Sequence, residues 1–341
     1  MSNQHNDHWS RREFLGKAAL AGTGTLLGLR SESIAAGPPP ETTTITVGHN
    51  TEALCLSPQY VAQELLRNEG LTDVRYAKVA GGERLAKALV SGAADMSMHF
   101  AATLIPFIDA GEPIIILAGG HVGCYELFAT DRVRSIRDLK GKTVAVAQRT
   151  STTGALLDII LAHVGLDPKK DVNWVAHPQD EQIRLLADRK IDAFLAFPPT
   201  AQELRAKKIG HVIFNSMMDK PWSQYFCCVV AGNRDFVRKN PLATKRALRA
   251  ILKGADLCAR EPERAARLLV DKGFTKNYDY ALQTMKEMNY GQWREFDPED
   301  TVRFFSLRLH EIGAIKSSPQ KIIAQGTDWR FLKELKKEMK G

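Results

Sequence analysis

Arg149 is followed by four consecutive hydroxyl side chains, Thr150, Ser151, Thr152 and Thr153, in the segment QRTSTTG. The apolar run TVAVA before it reads as a strand, and ALLDIILAHVG after it reads as a helix. One Ser or Thr is expected there as a helix N-cap, contributing about 1 kcal/mol. A cap accounts for one hydroxyl and leaves three others and a guanidinium. Free amides at a helix start, the helix dipole and an arginine together suit an anionic oxygen, such as that of a sulfonate, carboxylate or nitrate. Arg149, Thr150, Ser151 and Thr152 are therefore candidate ligand-binding residues, although Arg149 has a competing role in pairing with an acidic neighbour.

The remaining candidates also stand at strand ends. His49 and Asn50 follow one strand-like run, His99, Phe100 and Ala101 follow another, and Gly119, Gly120 and His121 follow a third. The three histidines lie on separate elements with no HxH or HExxH spacing, so they read as hydrogen-bonding pocket residues, and no metal site is expected. Phe100, Tyr125, Phe197 and Trp222 offer an apolar wall to an organic ligand, with plain core packing as the alternative for each. The glycine pair lets backbone come close, to a ligand or to a neighbouring element. Five cysteines (Cys55, Cys124, Cys227, Cys228, Cys258) form no CxxC pair and sit in apolar surroundings, which reads as buried free thiols. No cofactor motif is found: GTGTLLG has the wrong spacing for a nucleotide loop, and the Gly-Lys-Thr of DLKGKTVAV precedes a strand and reads as a turn.

Elements that position these residues alternate along the chain. From Thr43, strand-like runs (TITVGH, VRYAKV, DMSMHF, IIILAG) alternate with helix-like ones, as in a parallel, helix-covered sheet. A long extended run, CYELFAT, leads to a second alternating series beginning at TVAVA, and a second long run, WSQYFCCVVAGN, leads out of it. Beyond that the pattern is almost wholly helical. Two extended runs bracketing an inserted α/β series imply two lobes joined by two crossing strands. The first lobe is expected at 43–128 plus 232–341, the second at 129–231, with 37–42 as a linker.

The 341 residues are 25% charged and 44% hydrophobic, with a mean hydropathy of −0.24 and a formal charge of +8. Basic residues are spread over helical segments without interleaved aromatics or zinc-finger spacing, which points away from nucleic acid as a partner. The N-terminus, SRREFLGKAALAGTGTLLGL, joins Arg11-Arg12, Phe14-Leu15 and a weakly apolar stretch to small-residue endings at Ala35 and Ala36. It resembles a twin-arginine export signal over residues 1–36, implying export by that translocase, cleavage near Ala35 or Ala36 and a periplasmic location.

The leader, the paired lobes and the phrases SIRDLKGKTVAV, IDAFLAFPP and WSQYFCCVVAGN resemble the periplasmic solute-binding proteins of ABC importers. The group in question contains the nitrate-, taurine- and sulfonate-binding proteins, with relatives that bind thiamine-pyrimidine precursors. The resemblance implies a two-lobed type II periplasmic-binding-protein fold, with a small organic anion held between the lobes and delivered to a membrane permease and its ATPase. It implies no catalysis. Two alternatives are a pyrimidine-type heterocycle as ligand and a same-fold enzyme resembling a desulfinase, with Cys55 as nucleophile and His99 as its partner.

Overall fold

The computed structural model describes residues 37–339, and all their strands and helices belong to one unit that begins at Pro39. The leader read at residues 1–36 lies outside the described residues.

The first series runs β1 (Thr44–Asn50), α1 (Ser57–Val61), α2 (Gln63–Asn68), β2 (Asp73–Val79), α3 (Gly82–Ser91), β3 (Met96–Phe100), α4 (Ala101–Asp109) and β4 (Ile114–Val122). The second runs β5 (Glu126–Ala129), β6 (Thr143–Val146), α5 (Thr152–His163), β7 (Asn173–Ala176), α6 (Gln179–Ala187), β8 (Ala193–Ala196), α7 (Thr200–Lys207) and β9 (His211–Asn215). After β10 (Phe226–Asn233) come α8 (Arg234–Lys239), α9 (Pro241–Arg260), α10 (Pro262–Asp271), α11 (Tyr278–Glu287), α12 (Pro298–Glu311), α13 (Pro319–Gly326) and α14 (Arg330–Glu338).

These strands form two five-stranded sheets, ordered β2-β1-β3-β10-β4 and β7-β6-β8-β5-β9. Each sheet is parallel except for one strand, β10 in the first and β5 in the second, which runs antiparallel to both its neighbours. Those are the strands entering from the other sheet, so a chain crossing from one sheet into the middle of the other arrives in the opposite direction. Every residue of β3 and β10 is buried, as expected of central strands covered on both faces, where apolar runs replace alternation. The helix-covered α/β architecture anticipated from the sequence is what the chain adopts.

Three local expectations need correction. Residues 226–231, assigned by pattern to the second lobe, form β10 of the first sheet, and residues 126–128, assigned to the first, open β5 of the second. A crossing strand carries no sequence mark of which sheet it pairs with, because both environments bury it. Trp222–Gln224 is a short 3-10 turn after Pro221 and not extended chain; a proline's fixed φ suits such a turn. Within the segment 37–42, the Glu41 carboxylate accepts from the amides of Leu242 and Ala243 at 3.0 and 2.9 Å, serving as the N-terminal cap that α9 lacks from its own residues.

The two crossings are fastened to each other. Ser216 Oγ accepts from the amides of Cys124 and Tyr125 at 3.0 and 2.8 Å, and Ser216 N donates to the Tyr125 carbonyl.

Candidate functional site

In parallel sheets of this kind, ligands bind beyond the carboxyl ends of strands, where helix N-termini present unpaired amides. Such ends from both sheets meet around one cavity of about 140 Å³. The first sheet contributes Asn50 after β1, Gly81 and Gly82 after β2, His99 and Phe100 at the end of β3, and Cys228 from β10. Cys55 and Leu56 close the same side, and Tyr125 comes from a crossing segment. The second sheet contributes Ala147, Ser151, Thr152 and Thr153 after β6, Pro178 and Gln179 after β7, and Leu195 and Phe197 from β8 and just beyond it. An apolar cavity of roughly 150 Å³ holds one benzene, so this space suits a ligand about the size of one small ring.

The hydroxyl run divides its work. Ser151 caps α5, accepting from Gly154 N at 3.2 Å, so the helix begins at Thr152, within the hydroxyl run. Thr150 and Thr152 reach across to the first sheet's helices: Thr150 Oγ1 donates to Glu83 Oε2 of α3 at 2.7 Å, and Thr103 Oγ1 of α4 lies 3.3 Å from Thr152 Oγ1. The approach is close enough that a Cβ on Gly82 would stand 2.1 Å from Thr152 Oγ1, so only glycine fits there in this arrangement. The Leu54 amide also donates to the Pro198 carbonyl across the gap at 3.0 Å.

Arg149 faces away from the cavity. Its Nη2 bonds Asp158 Oδ1 of α5 at 2.5 Å, and its guanidinium lies 3.7 Å from the Trp174 ring centre. The acidic neighbour prevails because Asp158 lies nine residues on, on the helix that the hydroxyl run starts. Among the described residues lining the cavity, none is Lys or Arg, and one, Glu52, is acidic.

Of the other expected site residues, Asn50, His99, Phe100, Ser151, Thr152 and Phe197 line the cavity, while His49, Ala101, His121, Arg149, Thr150 and Trp222 do not. His49 sits in an aromatic cage of Tyr60, Tyr76 and Phe274 with Nδ1 unpartnered. Burial, aided by the charge of Lys78, lowers its pKa to about 4. Ala101 is core at the start of α4. Trp222 packs edge-on against His163, Phe214 and Phe304. The Gly119 approach is to the Phe226 ring, 2.2 Å from where a Cβ would stand, and so serves packing within the sheet.

His99 holds the cavity wall instead of reaching into it. Nε2 lies 2.7 Å from the Gly82 carbonyl and Nδ1 3.1 Å from that of Phe100. Burial lowers its pKa, opposed by those two carbonyls, and a neutral ring has one N–H to give. The shorter contact takes it, so His99 fixes the glycine that Thr152 abuts. Cys55 is placed as the enzyme alternative requires, in the cavity wall, but its chemistry runs the other way. Its contact with Cys124 favours the thiolate, yet contact with Cys228 and burial hold the thiol well above its ordinary range, whereas a nucleophile needs it lowered.

Sequence reasoning missed Gly81, Gly82, Pro178 and Gln179. The rule that found the others, strand end before helix start, also marks AGGE after β2 and HPQD after β7. These follow strands at the outer edges of the two sheets, and their small or amide side chains carry little chemical signal on their own.

A family model described as the NMT1-like family matches residues 38–270. Among solved structures, the periplasmic nitrate-binding protein NrtA from Synechocystis PCC 6803 is similar at a TM-score of 0.73 and 16% identity, over 89% of this chain and 90% of that one. The alkanesulfonate-binding protein SsuA from Xanthomonas axonopodis pv. citri, bound to MOPS, gives 0.68 and 14% over 86% and 100%. The aliphatic sulphonate-binding protein SsuA from Escherichia coli gives 0.67 and 15% over 85% and 94%. A curated relative, the nitrate import ATP-binding protein NrtC of Synechocystis sp., is 23% identical over 165 residues; the match takes in 46% of this chain but 24% of that protein. The chain thus spans about a quarter of that relative's length. The structural likenesses establish a periplasmic-binding-protein fold.

Proposed function

The chain belongs to the NMT1-like family, and from that premise we propose that it is an exported solute-binding protein serving an ABC importer. One observation carries the reading: a single cavity takes its walls from the strand ends of both sheets, and those sheets are joined by two crossing segments tied at Ser216. A solute held there makes its full set of contacts only when the two lobes are together, so its binding energy favours the closed form. The closed form then docks on a membrane permease whose separate ATPase supplies the energy. Among the described residues no helix is long and apolar enough to cross a membrane, which fits a component that works beside a permease. The Arg11-Arg12 leader supports export through the twin-arginine translocase and a periplasmic site of action.

The lining favours an uncharged planar heterocycle of the pyrimidine type over the organic anion expected from sequence. Phe100, Tyr125 and Phe197 supply flat apolar surface, and Asn50, Gln179 and the hydroxyls of Ser151 and Thr153 supply neutral donors and acceptors. With Arg149 committed to Asp158, an anion has no fixed cation to meet. A second reading keeps a small oxyanion, held by amides alone, because the N-terminal residues of α3, α5 and α6 all line the cavity.

Thermal-shift and calorimetric titration with pyrimidines, alkanesulfonates, taurine and nitrate tests both. A ligand at 100 times its dissociation constant stabilises by ~2.7 kcal/mol. Stabilisation by a pyrimidine alone supports the first reading, and stabilisation by a sulfonate or nitrate alone installs the second. If no small molecule binds, or binding survives substitutions at Phe197 and Thr152, the cavity is not the site.

A further inference from the structure

Four of the five cysteines, drawn from three stretches of the chain, converge with His121 on one side of the cavity. Cys55, His121 and Cys228 each offer a ligand atom within 4.8 Å of the others, and so do His121, Cys124 and Cys227. Cys124 Sγ and Cys227 Sγ are 3.4 Å apart. All five side chains are buried and none of the cysteines is in a disulfide. β4 supplies His121, β10 supplies Cys227 and Cys228, the crossing supplies Cys124, and the turn before α1 supplies Cys55.

His121 gives the cluster its direction. Its Nδ1 lies 2.9 Å from the Gly123 carbonyl, and its Nε2 is buried with no hydrogen-bond partner. With Nδ1–H donated to the carbonyl, Nε2 keeps a lone pair without a partner, on a ring that has one nitrogen within 4.8 Å of the sulfurs of either triad. An imidazole that gives one N–H to a backbone carbonyl and keeps its other nitrogen free beside thiols is held as metal-ligating histidines are. A histidine wholly buried for packing alone would leave that acceptor uncompensated, at a cost typical of an unmade hydrogen bond.

We propose that His121 Nε2, Cys55 Sγ and Cys228 Sγ bind one thiophilic divalent metal ion of the zinc type. The donors fit, since thiolate and imidazole are the preferred zinc ligands. So does the spacing. Ligand atoms around a tetrahedral zinc stand about 3.5–4 Å apart, so donors within 4.8 Å close on the ion by shifts of roughly 1 Å. The two candidate triads share His121, so the cluster holds a single ion. Cys55 and Cys228 line the cavity while Cys124 and Cys227 do not, which gives the first triad an entry path and opens its fourth coordination position to the cavity. Both thiols lose their protons to solvent as the ion enters, and binding strengthens as pH rises. The site goes beyond the solute-binding reading and holds whether or not a solute binds.

The test uses the reduced, metal-stripped chain, titrated with zinc against a chromophoric chelator and then measured by X-ray absorption at the zinc edge. The expected result is one zinc per chain with sulfur at about 2.3 Å and nitrogen at about 2.0 Å. His121→Ala, and Cys55→Ser combined with Cys228→Ser, lower affinity at least 100-fold, and Cys258→Ser on α9 leaves it unchanged. Absence of zinc uptake by the reduced wild-type chain overturns the proposal, as does a shell of light atoms alone. Equal loss in Cys258→Ser overturns it too. Loss in Cys124→Ser or Cys227→Ser, with none in Cys55→Ser or Cys228→Ser, assigns the ion to the other triad and overturns the present one. Should the variants fail to fold, the wild-type absorption spectrum decides by itself.

Discussion

The Thr150 hydroxyl donates a 2.7 Å hydrogen bond to Glu83 Oε2, so a residue just before α5 of the second sheet holds the first turn of α3 beside the first sheet. Each partner stands next to a residue that lines the cavity, Thr150 before Ser151 and Glu83 after Gly82. The bond forms only with the two sheets together, so it stabilises that arrangement. Thr150→Val is expected to weaken solute affinity about three- to tenfold, the worth of roughly 1 kcal/mol, while the melting temperature of the solute-free protein changes little. Isothermal titration with the solute found by screening, beside a thermal melt, measures both. An unchanged affinity would remove the bond from closure.

Arg149 is a brace within the second sheet's layer. A partly exposed ion pair contributes about 0–1 kcal/mol and a guanidinium over an indole about 0.5–1. Arg149→Ala should therefore lower stability by about 1 kcal/mol and leave ligand affinity within twofold. Urea unfolding and titration distinguish this from a binding role, in which affinity would fall and stability would hold.

Arg205 on α7 bridges two carboxylates. It pairs with the buried Glu126 of β5 and bonds both oxygens of Glu287 on α11, at 2.7 and 2.6 Å. Burial raises the pKa of Glu126 and Arg205 opposes the rise, so removing the arginine leaves a buried carboxylate without its counter-charge. Arg205→Ala is expected to cost about 3 kcal/mol. Adding Glu126→Gln should restore most of that, because a neutral amide is cheaper to bury. A double-mutant cycle by chemical denaturation checks it, and simple additivity would refute the coupling.

His49 makes stability fall on acidification. Its folded pKa of about 4 lies below the ordinary 6.5. Above pH 6.5 the ring is neutral in both states and its contribution is fully present. As pH drops from 6.5 through 4, the unfolded chain takes up a proton that the folded chain refuses. Stability is lost at about 1.4 kcal/mol per unit, up to about 3 kcal/mol in all. His49→Phe keeps the aromatic contacts and gives up no hydrogen bond at Nδ1, so the difference between wild type and variant should grow over that window. Denaturation at a series of pH values reads it, and a difference independent of pH would overturn it.

Alternation of apolar runs with helical periods told the architecture in advance, because a strand or helix announces itself over four to ten adjacent residues. The same local logic placed Asn50, His99, Phe100, Ser151, Thr152 and Phe197 at the cavity, since each stands at a strand end or a helix start. It misjudged Arg149 because a long cationic side chain can turn either way from one backbone position. Which way it turns depends on where Asp158 and Trp174 come to lie. It read the five cysteines as buried free thiols, as they are, but no spacing rule could bring Cys55 beside Cys228.

The order of residues by itself determined the strands, the helices, the two alternating series and the helix start at the hydroxyl run, all of which depend on near neighbours. Folding in three dimensions decided which sheet each crossing strand joined, which way Arg149 turned, and that His121 and four distant thiols share one buried space. Those outcomes rest on contacts between separate segments, from nine residues apart for Arg149 and Asp158 to well over a hundred for Cys55 and Cys228, whose energies no local pattern records.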